Sequence, residues 1–244
     1  MLLYIIRHGD PIYNPDCLTD LGHEQAKALV PRLSPLGFDK IYVSPMIRAQ
    51  QTAAPTCEAL GMTPKIVPFL SEEELFKKCV MPLPKDGDEG EETSMRWCFH
   101  QKLTNYKPEN PYAPLDKWYE LPAFAPVREK AEKGYKEFVA DADEFLLELG
   151  LRREGGFYKI EKMPYKRVAV FCHQGVGLTW MSHMLNIPPQ MFWSSFDMTH
   201  TGISVLEFRE HKDGFTTPIC LCLSDTSHLF GADMDIKFCG NFPY

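Results

Sequence analysis

The chain has 244 residues, enough for one elaborated domain or two small ones, and enough to bury a core that needs no metal or disulfide to hold it. With 44% hydrophobic and 24% charged residues it reads as an ordinary globular protein, not a disordered or fibrous one. Its 26 basic and 33 acidic residues give a net charge of -7, which argues against nucleic acid and against an anionic membrane as partners, so any cationic site must be local.

No apolar run approaches the roughly 18 residues that cross a bilayer, and the first residues carry neither a basic leader nor a cleavage site, so the expectation is a cytoplasmic protein. The eight cysteines are scattered without a CxxC pair and are expected to be reduced and mostly buried.

Residues 2–6 form a short apolar run of strand length that ends at Arg7-His8-Gly9-Asp10-Pro11, where Gly and Pro mark a loop. Thr19 can cap a helix carrying Ala26, Leu29, Val30 and Leu33 at helical spacing, with breakers at Pro35 and Gly37. Residues 41–43 read as a second strand. Ser44 then reads as a helix cap with Pro45 in the first turn of a helix that runs to about residue 60 and stops at Gly61. Residues 65–70 can form a third strand.

Periodicity disappears from about 75 to 124. This stretch carries six prolines, an acidic cluster (Asp86, Asp88, Glu89, Glu91, Glu92) and many aromatics, including Phe76, Trp97, Phe99, Tyr106, Tyr112, Trp118, Tyr119 and Phe124. So long an irregular segment reads as a lid or small subdomain, its aromatics either stacking on a ligand ring or packing on one another. Helical spacing returns with Phe138, Ala142, Phe145, Leu146 and Leu149, ended by Gly150. Residues 167–172 form another buried-strand run followed by His173-Gln174-Gly175. A helix to about residue 185 and two strands, 201–208 and 215–223, complete the pattern. Strands alternating with helices imply an α/β fold, a mostly parallel sheet covered on both faces, with the last strands at an antiparallel edge.

In open α/β sheets, ligands bind beyond the carboxyl ends of the strands. Three such ends here carry Arg7-His8, the turn from Ser44 to Arg48, and His173. Each residue alone has an ordinary structural explanation, but together they converge two arginines and two histidines. Guanidinium forks match phosphate oxygens, and an unprotonated imidazole is a competent nucleophile. In a chain of net charge -7 such a cluster points to an anionic substrate.

These residues carry a resemblance. Arg7-His8-Gly9 with Asn14 six residues after His8 resembles the signature of the histidine phosphatase superfamily, the phosphoglycerate-mutase-like fold of branch 1. The likeness extends through 18–26, Ser44 to Ala53, Leu70-Ser71-Glu72, His173-Gln174-Gly175 and 225–229, and leaves out roughly 76–125. It implies a single three-layer α/β/α domain over 1–244, with about six strands, an antiparallel edge strand and an insert at about 76–125.

The resemblance further implies a metal-independent phosphomonoester hydrolase without cofactor, acting on a small phosphorylated metabolite through a phosphohistidine on His8. Arg7, Arg48 and His173 would neutralise the phosphoryl oxygens, while Asn14 and the backbone of Gln174 would add hydrogen bonds. Glu72 would protonate the leaving oxygen and then activate water, with Glu73, Glu74, Asp10 or an acid of the insert as alternatives. Gln174 stands where the family commonly has glycine, and its side chain would narrow the pocket. A phosphoglycerate-mutase-type transferase and a non-catalytic phospholigand-binding protein are the alternative functions. Substrate identity and oligomeric state are not legible.

Overall fold

The computed structural model describes residues 1–84, 93–101 and 117–234. The chain begins with β1 (Leu2–Arg7), a small hairpin of β2 (Pro11–Tyr13) and β3 (Asp16–Leu18), and α1 (Asp20–Leu33). Then come β4 (Lys40–Val43), α2 (Ile47–Leu60), β5 (Lys65–Ile66), α3 (Glu72–Lys78), and the hairpin of β6 (Val80–Pro84) and β7 (Thr93–Trp97). The long α4 (Arg128–Glu148) leads to a second hairpin, β8 (Leu151–Glu154) and β9 (Phe157–Ile160), then β10 (Arg167–Cys172), α5 (Gln174–Met184) and α6 (Pro189–Ser195). The last elements are β11 (Ile203–Phe208), β12 (Phe215–Thr216), β13 (Pro218–Asp225) and α7 (Ser227–Gly231).

The main sheet has six strands in the order β13-β11-β1-β10-β4-β5. β1, β10, β4 and β5 are parallel, and β11 runs antiparallel to both β1 and β13. The antiparallel strand is therefore one in from the edge, and β13 is the edge itself. Both faces are covered, as strands without a polar face require. Alternation along β1 divides the packing: Leu3 and Ile5 join the core under α4, α5 and α6, while Tyr4 and Ile6 join the core under α1 and α2. Leu3, Ile5 and Ile6 are fully buried, each contributing roughly 1.5–3 kcal/mol.

Helix ends follow local chemistry. Thr19 caps α1 by accepting from the Gly22 N–H at 3.0 Å, and Gly61 ends α2 at φ 62. Three expectations are corrected. Ser44 and Pro45 lie ahead of α2, whose N-cap is Met46; the Ser44 hydroxyl bonds elsewhere. The strand expected over 65–70 stops at Ile66, because Pro68 cannot donate to a ladder and Pro68–Leu70 turns into a 3-10 helix. The strand expected over 215–223 is two strands, with Phe215–Thr216 pairing β9 in a separate three-stranded sheet.

The irregular stretch holds more structure than expected, since α3, β6 and β7 lie in or against it. Phe99, Trp118 and Phe124 pack edge-on with centroids 4.8 to 6.1 Å apart, and Trp193 and Tyr135 join them to the main core. Its acidic cluster, Tyr106 and Tyr112 lie outside the described residues. All seven cysteines among the described residues are free thiols. Among the described residues no helix is long and apolar enough to cross a membrane.

Two glycines let the loop after β1 press on α1. A Cβ on Gly22 would lie 2.2 Å from the Asp10 carbonyl oxygen, and one on Gly9 would lie 2.7 Å from the Gly22 carbonyl oxygen. Gly22→Ala is expected to cost roughly 2 kcal/mol despite the better helix propensity of alanine, lowering Tm by roughly 4–8 °C. Because the displaced backbone carries His8, activity should fall with it. Thermal unfolding monitored beside activity checks this; an unchanged Tm would show that the loop has slack.

Candidate active site

Sheet register brings the site together. β1 and β10 are parallel with Arg7 opposite Cys172, so the next residues, His8 and His173, emerge side by side with ring centroids 5.0 Å apart. β4 lies on the other side of β10 with Val43 opposite Phe171, which places Ser44 beside His173; its Oγ is 2.7 Å from His173 Nε2. Arg48 projects from the first turn of α2 and Glu72 from the first position of α3. Arg7, His8, Arg48 and His173 are all at least 95% buried.

The hydrogen bonds fix the chemistry of each group. His8 Nδ1 lies 2.7 Å from the Gly9 carbonyl oxygen, which can only accept, so Nδ1 carries the proton and Nε2 holds the lone pair. Thr52 supports the same turn: its Oγ1 accepts from the Gly9 N–H at 3.0 Å and donates to the Arg48 carbonyl at 2.7 Å. Ser44 Oγ accepts from the Met46 N–H at 3.3 Å and lies 2.7 Å from His173 Nε2; the carboxylate facing Nδ1 can only accept, which favours the tautomer with Nδ1 as the N–H donor and Ser44 donating to Nε2. That Nδ1 is buried without a hydrogen-bond partner among the described residues, and it faces Glu72 Oε2 at 3.7 Å.

Arg48 is held as a fork. Nη1 donates to Asp16 Oδ1 at 2.6 Å and Nη2 to Glu72 Oε2 at 3.0 Å, while the guanidinium stands 5.3 Å from the Tyr13 ring centre. Glu72 is fixed from its other oxygen by the Gly175 N–H at 2.9 Å, in the first turn of α5, where backbone donors favour an anion. Glu73 and Glu74 both pair with Lys77 at the surface, so of the three adjacent glutamates only Glu72 reaches the histidines. Arg7 Nη1 donates to the Met198 carbonyl at 2.5 Å.

Two expected residues make no side-chain hydrogen bond within this cluster. Asn14 occupies the exposed turn between β2 and β3, before a cis peptide to Pro15, and makes no hydrogen bond to Arg7, His8, Arg48 or His173 among the described residues. Gln174 is the first residue of α5, but its side chain donates to Asp197 and is drawn aside instead of narrowing the pocket.

Sequence reasoning missed two others. Asp16 buttresses Arg48, and nothing in its hairpin context signals that. His200 lies 5.7 Å from His8, ring centre to ring centre, with Nδ1 3.5 Å from Asp10 Oδ1 and a fully buried Nε2. The signal for His200 is the antiparallel register of β11 on β1, Ile203 opposite Ile6, which brings residues before Ile203 to those after Ile6.

Burial, reinforced by the neighbouring cations, sets the protonation states. Burial first, then His173, Arg7 and Arg48, push the His8 imidazole well below its usual range; burial first, then Arg48 and Arg7, do the same for His173. Burial beside Arg7 lowers His200 to about 3, and burial lowers His100 and His228 to about 4. All five imidazoles are therefore neutral in the folded protein where the unfolded chain binds protons. Below about pH 6.5 the unfolded state takes up more protons, so stability is full above that pH and is lost as pH falls towards the folded values. Each histidine contributes up to about 1.4 kcal/mol per pH unit in that window. A steep fall in Tm between about pH 6 and pH 4 is expected, and a Tm flat over that range would contradict it.

Among the described residues, His8, Glu72 and His173 form the one group whose potential metal-ligand atoms lie within 4.8 Å of one another. Arg7 and Arg48 share that space and oppose a cation, so the arrangement is built for an anion.

The family model of the histidine phosphatase superfamily (branch 1) matches residues 3–106 and 117–217. The chain belongs to this superfamily. Both stretches of the histidine phosphatase match together contain Arg7, His8, Arg48, Glu72 and His173. The adenosylcobalamin/alpha-ribazole phosphatase of Escherichia coli is 27% identical over 203 residues, 79% of this chain and 83% of that protein. The PE-PGRS family protein PE_PGRS11 of Mycobacterium tuberculosis is 46% identical over 83 residues, which span 30% of this chain and 14% of that one. Among solved structures, the phosphoserine phosphatase of Entamoeba histolytica in complex with 3-phosphoglyceric acid has a TM-score of 0.57 at 20% identity. It covers 93% of this chain and 98% of its own. The mycobacterial glucosyl-3-phosphoglycerate phosphatase in complex with VO3 has a TM-score of 0.56 at 18% identity, covering 92% and 99%. These two likenesses show the six-stranded fold of the histidine phosphatases; the family membership rests on the family model.

Proposed function

We propose that the protein is a metal-independent phosphomonoesterase on a small phosphorylated metabolite, working through a phosphohistidine on His8, within a single domain with an insert at about 76–125, of which Phe76 and Trp97 line the cavity beside Arg48. The observation that carries this is the protonation pattern: a neutral His8 with its lone pair on Nε2, set among Arg7, Arg48 and a His173 whose free N–H is Nδ1. The named phosphatases among its relatives support the same reaction class.

In this reading Nε2 of His8 attacks phosphorus as the ester P–O bond breaks. Arg7, Arg48 and the Nδ1–H of His173 carry the charge on the phosphoryl oxygens, where preorganised donors do most of the work. A phosphoryl group seated on Arg48 frees Glu72 from the guanidinium; Glu72 takes up the proton carried by the phosphomonoester monoanion and delivers it to the leaving oxygen as the P–O bond breaks. In the second half the Glu72 carboxylate takes a proton from water as its oxygen attacks the phosphohistidine, regenerating the His8 lone pair and releasing phosphate. Gln174 contributes its backbone N–H at the start of α5, and Asn14, on the turn whose Tyr13 and Asp16 contact Arg48, adds a hydrogen bond to the phosphoryl oxygens. The mutase alternative needs cationic contacts for a second charged end, and among the described residues the cavity at Arg48 offers none besides Arg48.

Glu72→Gln separates the steps. The amide oxygen still accepts from Gly175, but no proton can be delivered, so hydrolysis of alkyl phosphates should fall roughly 10²–10³-fold. With 4-nitrophenyl phosphate, whose leaving group needs no proton, a burst of nitrophenolate equal to the enzyme followed by near-arrest is expected. Steady turnover of both substrates at the wild-type rate would remove Glu72 from the mechanism. The function itself is tested by phosphate release from a panel of phosphomonoesters in chelator; release by wild type and none by His8→Ala is the expected result.

A further inference from the structure

Beside Arg48 lies a cavity of about 500 Å³, within the size range that holds small-molecule ligands. Arg48 and Glu72 both line it, so it adjoins the phosphoryl-binding groups and offers the alcohol part of a substrate its place. Three of its walls are aromatic: Tyr13, Phe76 and Trp97. Trp97 ends β7 and is 92% buried; its indole stands edge-to-face on Phe76 at 5.0 Å and rests against Trp193 at 5.3 Å. The same indole touches the start of α5 so closely that a Cβ on Gly175 would lie 2.3 Å from it. Since the Gly175 N–H holds Glu72, the indole is one residue away from the proposed proton donor. Tyr13 flanks the opposite side, against the Arg48 guanidinium.

The charges of the cavity are unbalanced. Asp16, Glu72 and Glu73 line it; among the described residues its single cation is Arg48, already bonded to Asp16 and Glu72, while Glu73 is paired with Lys77 at the surface. A phosphoryl group can displace Glu72 from the guanidinium, but a second anion on the alcohol would meet carboxylates with no guanidinium left. Flat apolar walls reward a ring, and the acidic rim penalises a carboxylate or second phosphate.

We infer that this protein selects phosphomonoesters of alcohols that carry an uncharged aromatic group, and discriminates against alcohols that carry a second anion. The inference rests on the phosphatase reading, and names its substrate class. Trp97, Phe76 and Tyr13 are the specificity-determining side chains, with Asp16 and Glu72 supplying the exclusion of anions.

The test uses three phosphates whose leaving groups are all alkyl alcohols, so that intrinsic reactivity is matched: 2-phenylethyl phosphate, n-butyl phosphate and 3-phosphoglycerate. The expected kcat/KM order is phenylethyl above butyl above phosphoglycerate, with about tenfold between the first two. Trp97→Leu and Tyr13→Ala should each bring the phenylethyl-to-butyl ratio down towards one. Tyr13 is on an exposed hairpin, so its variant answers the question even if Trp97→Leu unfolds. Equal turnover of all three, or phosphoglycerate as the best of them, overturns the inference while leaving the phosphatase standing. Phosphate release from none of them, nor from 4-nitrophenyl phosphate, removes the phosphatase reading itself.

Discussion

His8→Ala is expected to lower kcat by roughly 10⁴-fold or more on every phosphomonoester the protein cleaves, because removing the nucleophile leaves only binding and electrostatics to act. The protein should stay folded. Several supports of the turn do not involve the ring: the His8 N–H to the Cys172 carbonyl, the Gly9 N–H to Thr52 and the Thr201 N–H to the His8 carbonyl. The imidazole is also a stability liability at low pH, since burial keeps it neutral against its tendency to protonate. His8→Ala should therefore lose less stability at pH 5 than at pH 7.5, relative to wild type. Thermal unfolding at the two pH values, with phosphate release at the higher one, separates these effects. A variant that retains more than about a hundredth of wild-type kcat would mean that another group attacks phosphorus.

Arg48→Ala should be nearly as damaging, by roughly 10³-fold in kcat/KM, and for a different reason. The guanidinium supplies charge where the phosphoryl oxygens sit, a contribution that grows in a site from which water is excluded. Its loss also leaves Asp16 and Glu72 without their shared cation. Both carboxylates are partly exposed, so the stability cost should be nearer 1–3 kcal/mol than that of a fully buried pair. Arg48→Lys keeps the charge but cannot fork to two carboxylates, and should recover most of the stability while remaining roughly 10²-fold slow. Denaturant melts and steady-state kinetics on the two variants check this. Equal rates for Arg48→Lys and wild type would show that the fork is dispensable.

The parts of the molecule legible in the sequence are those where one physical signal acts alone. Leu2–Arg7 and Arg167–Cys172 are continuous apolar runs, and only a strand buried on both faces accommodates them. Thr19, Gly61 and Gly150 mark helix ends by local backbone chemistry, which tertiary contacts did not override. Convergence of Arg7, His8, Arg48 and His173 followed from placing them at strand ends. Of the site partners that escaped, His200 owes its position to the register of β11 on β1, strands distant in sequence, and Asp16 to the packing of its hairpin on α2; a run of residues carries no record of either. Ser44 shows a competition: its position suits a helix cap, but its hydroxyl is bonded to the buried His173 Nε2. Among the aromatics of the irregular stretch, two fates were open, and the structure divides them. Phe99, Trp118 and Phe124 pack on one another, while Phe76 and Trp97 face the cavity beside Arg48.

The central claim is covalent: the phosphoryl group passes through His8. Mixing the enzyme with a phosphomonoester for less than one turnover, quenching in alkali where a phosphohistidine survives, and mapping the modified peptide by mass tests it directly. Glu72→Gln with 4-nitrophenyl phosphate gives the longest-lived species. The account predicts one phosphoryl adduct per chain, carried on the His8 ring and absent from His8→Ala. Full release of nitrophenolate and phosphate in a single turnover, with His8 unmodified at every quench time, would contradict it and assign the attack to water.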